Sequence, residues 1–194
     1  PYTKNEQWDA KREWGVHPDK PLVVVTGGGL GARRLNDTTL KALKKIQQKA
    51  SVVLVSGAGQ YEELKARAPK KSENFQLHAF VNTMPQLLGA ADIVVTRAGA
   101  TTILELAALM KPTILVPNAA LTGGHQLKNA AVYQEAHVAI VLDEDQTVDN
   151  PQLLVDAINS YLDDPKTTAS MAKRFGKFAK PNAAALLRET FAKP

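Results

Sequence analysis

The sequence predicts an α/β protein: a parallel sheet of about six strands with helices on both faces. Two observations carry this. Short apolar runs at 22–25, 52–55, 93–95, 113–116 and 138–142 have the length and content of buried strands. Helix-length segments separate them, so strand and helix alternate along the chain. A third observation points to where a ligand would sit. Glycine-rich or small-residue loops follow several strands, and in open α/β sheets ligands sit outside the carboxyl ends of strands.

Residues 4–14 read as a short helix stopped by Gly15, and 17–21 as a turn. The first strand, 22–25, runs into a glycine loop and a helix over about 35–49. A second strand at 52–55 ends in Ser56-Gly57-Ala58-Gly59 and leads to a helix over 61–68. Residues 75–80 alternate apolar and polar, predicting a third strand. Asn82 and Thr83 are suited to cap a helix over 84–90. Next comes a βαβ unit: strand 93–95, a Leu- and Ala-rich helical segment, and strand 113–116. A helix over 126–136 and a sixth strand over 138–142 follow. One helix is expected over 147–162, another from Pro165 to near Ala179, and a last one from Pro181 to about Ala192. The expected organisation is a lead-in or interdomain linker over 1–20, a body over 21–180 and a C-terminal helix over 181–194. A chain starting on proline reads as the middle of a longer protein, so a preceding domain is expected.

Composition narrows the function. At 194 residues there is length for one domain with a large core. No apolar run is long enough to span a bilayer, and no secretory signal is visible. Absence of cysteine removes a disulfide framework and a thiolate nucleophile, and a reducing, cytoplasmic setting is the default reading. The net charge of +5 is spread over helix surfaces such as Lys41, Lys44, Lys45 and Lys49. That pattern is either a solvated face or an attraction to anionic ligands or membranes. Nucleic-acid binding is disfavoured, because no basic run is interleaved with aromatics. The four histidines have no paired spacing, which argues against a zinc site.

The loop Gly27-Gly28-Gly29-Leu30-Gly31 lies between strand and helix, where backbone N–H groups and the helix dipole favour an anion. The bland alternative is a tight turn, and the phosphate reading is preferred. The loop lacks the Gly-Lys-Ser/Thr of a P-loop and the spacing of a dinucleotide fingerprint. No acidic residue ends the second strand, so NAD is disfavoured. Arg97-Ala98-Gly99-Ala100-Thr101-Thr102 is a second strand-to-helix turn, suited to phosphate oxygens or to a plain helix start. Glu105, one turn into that helix, either holds a ribose diol or stabilises the helix dipole. His125 and Gln126, after Gly123-Gly124, supply the donors and acceptors that sugar hydroxyls require, or cap a helix. His78 and Phe80 read first as packing residues, with free backbone beyond Phe80 for a base edge.

These residues together resemble the C-terminal domain of a GT-B glycosyltransferase of the MurG type. The motifs are Gly27 to Asn36, Thr96 to Thr102 with Glu105-Leu106-Ala107, Lys111 to Pro117, and His125-Gln126 with Asn129-Ala130. The resemblance covers nearly the whole chain. It implies a Rossmann-like domain, one half of a GT-B fold. It also implies transfer of N-acetylglucosamine from UDP-GlcNAc to lipid-linked muramyl-pentapeptide in peptidoglycan synthesis, without metal or other cofactor. In that family Gly28, Gly29, Leu30 and Gly31 would face the diphosphate. Phe80 and Val81 would meet the uracil, with Met84 beside the nucleotide. Ala98, Gly99, Ala100 and Thr101 would line phosphate and sugar, Glu105 would bind the ribose, and His125 and Gln126 the GlcNAc. The family often has Ser where Gly29 stands, and acidic residues where Gly123 and Gly124 stand. The resemblance further implies an N-terminal acceptor domain that supplies the base, and work at the inner face of the plasma membrane. This chain alone is expected to bind donor without transferring it. The alternatives are the donor-binding subunit of another lipid-linked GlcNAc transferase, or a non-catalytic nucleotide-sugar module.

Overall fold

The computed structural model describes residues 1–28, 32–69, 72–119 and 124–179. The expected phosphate-loop residues Gly29, Leu30 and Gly31, and the expected helix over 181–194, lie outside the described residues.

Six parallel strands form one sheet: β1 Leu22–Thr26, β2 Ser51–Val55, β3 Phe75–His78, β4 Ile93–Thr96, β5 Thr113–Leu115 and β6 Ile140–Val141. Their spatial order is β3-β2-β1-β4-β5-β6. The chain therefore winds outward in both directions from the β1/β4 pair, where Thr26 lies in register with Thr96. That pair is the switch point at which open α/β sheets leave a crevice.

Alternate residues of each central strand feed two cores, because successive side chains point to opposite faces. On one face Val24, Val53, Val94 and Leu115 pack with residues of α1 (Lys4–Glu13), α4 (Met84–Ala90), α5 (Ala100–Ala108) and α6 (His125–Glu135). On the other, Val23, Val25, Leu54 and Ile114 pack with α2 (Arg33–Ile46) and α8 (Gln152–Asp163). Burial on both faces explains why the central strands are continuous apolar runs. On α2, Leu35, Leu43 and Ile46 are each almost fully buried, which is worth about 1.5–3 kcal/mol apiece.

Residues 1–20 are built onto the body. Thr3 and Glu6 form a reciprocal capping box that starts α1. Gln7 Nε2 donates to the carbonyls of Ala90 (3.2 Å) and Ala91 (2.9 Å) and to Asp92 Oδ1 (3.0 Å). The Tyr2 ring lies so close to Gly89 that a Cβ there would sit 2.2 Å from it.

Three expectations change. The single helix expected over 147–162 is two helices, α7 (Glu144–Asp149) and α8. Asp143 starts α7 three residues early by accepting from the Gln146 N–H at 2.9 Å. Asn150 leaves the helical region (φ −129°, ψ 87°) before Pro151, as the residue preceding a proline tends to. Strand β3 ends at His78, leaving Ala79 and Phe80 beyond its ladder. Thr83 occupies the N-cap of α4, but its side chain makes no cap bond; its carbonyl receives the N–H groups of Gln86 and Leu87. The last helix among the described residues, α9 (Pro165–Phe175), is capped by Asp164 and runs into a 3₁₀ turn, Gly176–Phe178. No described helix is long and apolar enough to cross a membrane.

Candidate functional site

The carboxyl ends of β1, β3, β4 and β5 bring most of the expected residues to one edge of the sheet. Beyond β1, Gly28 has φ +76°, a left-handed conformation that favours glycine. It is exposed, and its N–H donates to Thr26 Oγ1 at 3.3 Å. Beyond β4, Ala98 is fully buried, while Gly99, Ala100 and Thr101 emerge toward the surface. A Cβ placed on Gly28 or Gly99 meets no described atom within 4 Å, so both backbones border open space.

The helices α2, α5 and α6 begin on this edge without a side-chain cap. Their first-turn N–H groups have no intrahelical acceptor and concentrate the positive end of the helix dipole. Thr101 and Glu105 are both exposed and four residues apart, so they share one face of α5. His125 is exposed at the start of α6, behind Gly124 with φ +78°. Gln126 Oε1 accepts from the Asn118 N–H at 3.0 Å, which ties the loop after β5 to α6. Beyond β3, Phe80 is 67% exposed, Val81 is buried and Met84 is half-buried against the core. His78 belongs to packing: its ring stands edge-on to Trp14 at 5.5 Å, and burial lowers its pKa.

Several supporting contacts carried no assigned role in the sequence. Asn129 Nδ2 donates to the Ala98 carbonyl at 3.0 Å, joining α6 to the loop after β4. Asn36 Nδ2 donates to the Ser56 carbonyl (3.0 Å) and to Gln60 Oε1 (2.8 Å). Asn36 Oδ1 and Thr96 Oγ1 are the buried side-chain atoms that lack a partner among the described residues. Arg97 is buried, donates to the Val116 carbonyl at 2.9 Å and pairs with buried Glu144. Glu144 also faces Arg34, whose guanidinium bonds Asp145 at 2.5 Å; that bond holds Arg34 above its ordinary pKa. One short helix, α7, therefore ties together the start of α2 and the ends of β4 and β5. A cavity of about 250 Å³ lies among Arg34, Pro117, Leu127 and Glu144. Asn36, Arg97 and Asn129 all stood within the motifs, but nothing local in the sequence signals Glu144. No group of three or more His, Cys, Asp or Glu among the described residues is placed to hold a metal.

The strand order and the loops at its switch point define a Rossmann-like α/β domain of the kind that forms one half of a GT-B fold. The chain belongs to the glycosyltransferase family 28 C-terminal domain family, whose model matches residues 22–187. It is 34% identical over 181 residues to the UDP-N-acetylglucosamine--N-acetylmuramyl-(pentapeptide) pyrophosphoryl-undecaprenol N-acetylglucosamine transferase of Lactobacillus helveticus, covering 92% of this chain and 49% of that one. The second such transferase of Bacillus thuringiensis is 34% identical over 187 residues, covering 94% and 50%. This chain thus spans about half the length of the curated relatives it matches. The crystal structure of Acinetobacter baumannii MurG superposes with a TM-score of 0.81, covering 100% of this chain and 54% of that one at 24% identity. The family and fold inferred from the motifs therefore hold.

Proposed function

We propose that the chain is the donor-binding domain of an inverting glycosyltransferase. The enzyme would move N-acetylglucosamine from UDP-GlcNAc to lipid-linked muramyl-pentapeptide in peptidoglycan synthesis. The observation that carries this reading is the set of uncapped helix starts and open glycine backbones at the β1/β4 switch point of a family 28 domain.

In this reading Gly28 to Gly31, with the first turn of α2, hold the donor diphosphate. Ala98, Gly99, Ala100 and Thr101, at the start of α5, line the phosphate and sugar. Phe80 and Val81 receive the uracil, and Met84 packs beside the nucleotide. Glu105 accepts hydrogen bonds from the ribose diol. His125 and Gln126 meet the GlcNAc hydroxyls. Gln126 keeps its amide N–H groups for that role, because its oxygen is engaged by Asn118.

The acceptor hydroxyl attacks the anomeric carbon as UDP departs from the opposite side. Charge develops on the leaving diphosphate, and preoriented N–H groups at helix starts stabilise it; one such donor typically changes the rate about 10²–10³-fold. No resident cofactor enters this scheme. The base and the acceptor site belong to a preceding domain, with 1–20 as its connection, 21–180 as the donor domain and 181–194 as a closing helix. The complete enzyme would work as a peripheral protein on the cytoplasmic face of the plasma membrane, where its lipid-linked acceptor is held.

Calorimetric titration with UDP-GlcNAc tests this, with UDP-glucose and NADH as comparators. Saturable binding of UDP-GlcNAc that weakens in Glu105→Ala is expected. Binding of NADH in preference to uridine nucleotides would overturn the reading.

A further inference from the structure

A cavity of about 590 Å³ opens on the opposite edge of the sheet, where β1, β4 and β5 begin. Small-molecule sites are commonly clefts of about 300–1,000 Å³ with apolar walls and few polar groups. The walls here include Ile93, Leu109, Pro112, Leu162 and Ala172. Lys111 lines the same space and is only 6% exposed.

Lys111 is short of negative charge. Its Nζ donates to the carbonyls of Gly89 (2.6 Å) and Ala91 (2.8 Å) and stands 5.8 Å from the centre of the Tyr2 ring. An ammonium has three donors, so one remains beyond those two carbonyls. The neighbouring carboxylate, Asp92, is occupied: it holds buried Lys11 at 2.6 Å and also accepts from the Leu22 N–H at 2.7 Å and Gln7 Nε2 at 3.0 Å. That carboxylate is thus bonded to Lys11, whereas the Lys111 bonds go to carbonyls. A buried charge is costly unless it is paired. The strain is visible in Lys111 itself: burial pushes its pKa down to about 8, Lys11 repels it further, and Asp92 offsets only part of this. Exposed Lys173 adds a second cation at the rim.

We infer that this cavity is a second ligand site, for a small amphipathic anion. A carboxylate or phosphate monoester would meet the remaining Lys111 donor, with its apolar body against Ile93, Leu109 and Leu162. The site is independent of the donor reading, because it uses the other edge of the sheet.

The test titrates the 194-residue chain with hexyl phosphate, and with inorganic phosphate as comparator. Two variants accompany it. Lys111→Met removes the cation. Ala169→Phe fills the cavity from an exposed position on α9, so it keeps the test valid should the Lys111 variant fail to fold. Thermal melts confirm which variants are folded. Saturable hexyl phosphate binding is expected, weaker for inorganic phosphate and reduced about tenfold or more in each folded variant. A second arm measures co-sedimentation with phosphatidylglycerol vesicles against phosphatidylcholine vesicles. Lys111-dependent co-sedimentation would assign the anion to a lipid headgroup, and its absence beside hexyl phosphate binding would assign it to a soluble ligand. No saturable hexyl phosphate binding, equal binding of inorganic phosphate, or undiminished binding in the folded variants would overturn the inference.

Discussion

Arg97, at the end of β4, and Glu144, the first residue of α7, form a buried ion pair across 47 positions of sequence. Arg97 also holds the Val116 carbonyl, so one guanidinium fixes the carboxyl ends of two neighbouring strands. Removing one partner of a buried pair leaves an uncompensated charge. Glu144→Ala is expected to lose about 3–5 kcal/mol of stability. Glu144→Gln, which keeps an acceptor for Arg97, is expected to lose less. Chemical denaturation monitored by circular dichroism checks the ranking.

Glu105 is the opposite case. It is exposed on α5, so Glu105→Ala should change stability by no more than about 0.5 kcal/mol. If it accepts from a ribose diol, UDP-GlcNAc affinity falls by about 1.5–3 kcal/mol, the range for hydrogen bonds to a charged group. Calorimetry and a thermal melt on the same sample separate the two effects.

Gly28 and Gly99 make a paired test. Both face open space, but only Gly28 has positive φ; Gly99 sits at −74°. Gly28→Ala is expected to cost about 1–2 kcal/mol through backbone strain. Gly99→Ala is expected to leave stability nearly unchanged. If a phosphate approaches the Gly99 backbone, the new methyl group weakens UDP-GlcNAc binding all the same, and titration of the folded variant measures it.

Lys111 sets a pH dependence. Its folded pKa is about 8, against about 10.4 for a free lysine, so between pH 8 and 10 the unfolded chain binds the extra proton. Stability therefore rises with pH across that window, by about 2 kcal/mol for this group. Above pH 10 the slope reverses, because burial pushes Tyr161 up to about 12 and an unfolded tyrosine ionises near 10. Urea titrations at pH 8 and 10 should show the rise in the natural chain, and Lys111→Met should flatten it.

Legibility followed the range of the interaction. The central strands stood out, because burial on both faces leaves an unbroken apolar run such as Val23-Val24-Val25, whereas β3, only partly buried beyond Phe75, was legible from its alternation. Gly28, Thr101, Glu105 and His125 reached one edge because each follows directly from a strand end or helix start. The break between α7 and α8 was written locally in Asn150-Pro151, yet the apolar spacing on either side masked it. Glu144 was beyond reach: an acidic residue in an Asp-Glu-Asp run reads as solvated, and only the folded topology brings it beneath Arg97. The pairing of Asp92 with Lys11, 81 positions earlier, was hidden for the same reason.

The central place of β1 also governs how the chain can be made. Its two hydrogen-bonding edges are filled by β2 and by β4, and β4 ends only at Thr96. During synthesis, a nascent chain that has emerged only as far as α4 therefore carries an apolar strand with one edge unsatisfied, a template for pairing with other chains. Protection arrives when residues 93–96 leave the ribosome and Asp92 receives the Leu22 N–H. A stop codon between residues 68 and 92 should accordingly yield an aggregating product.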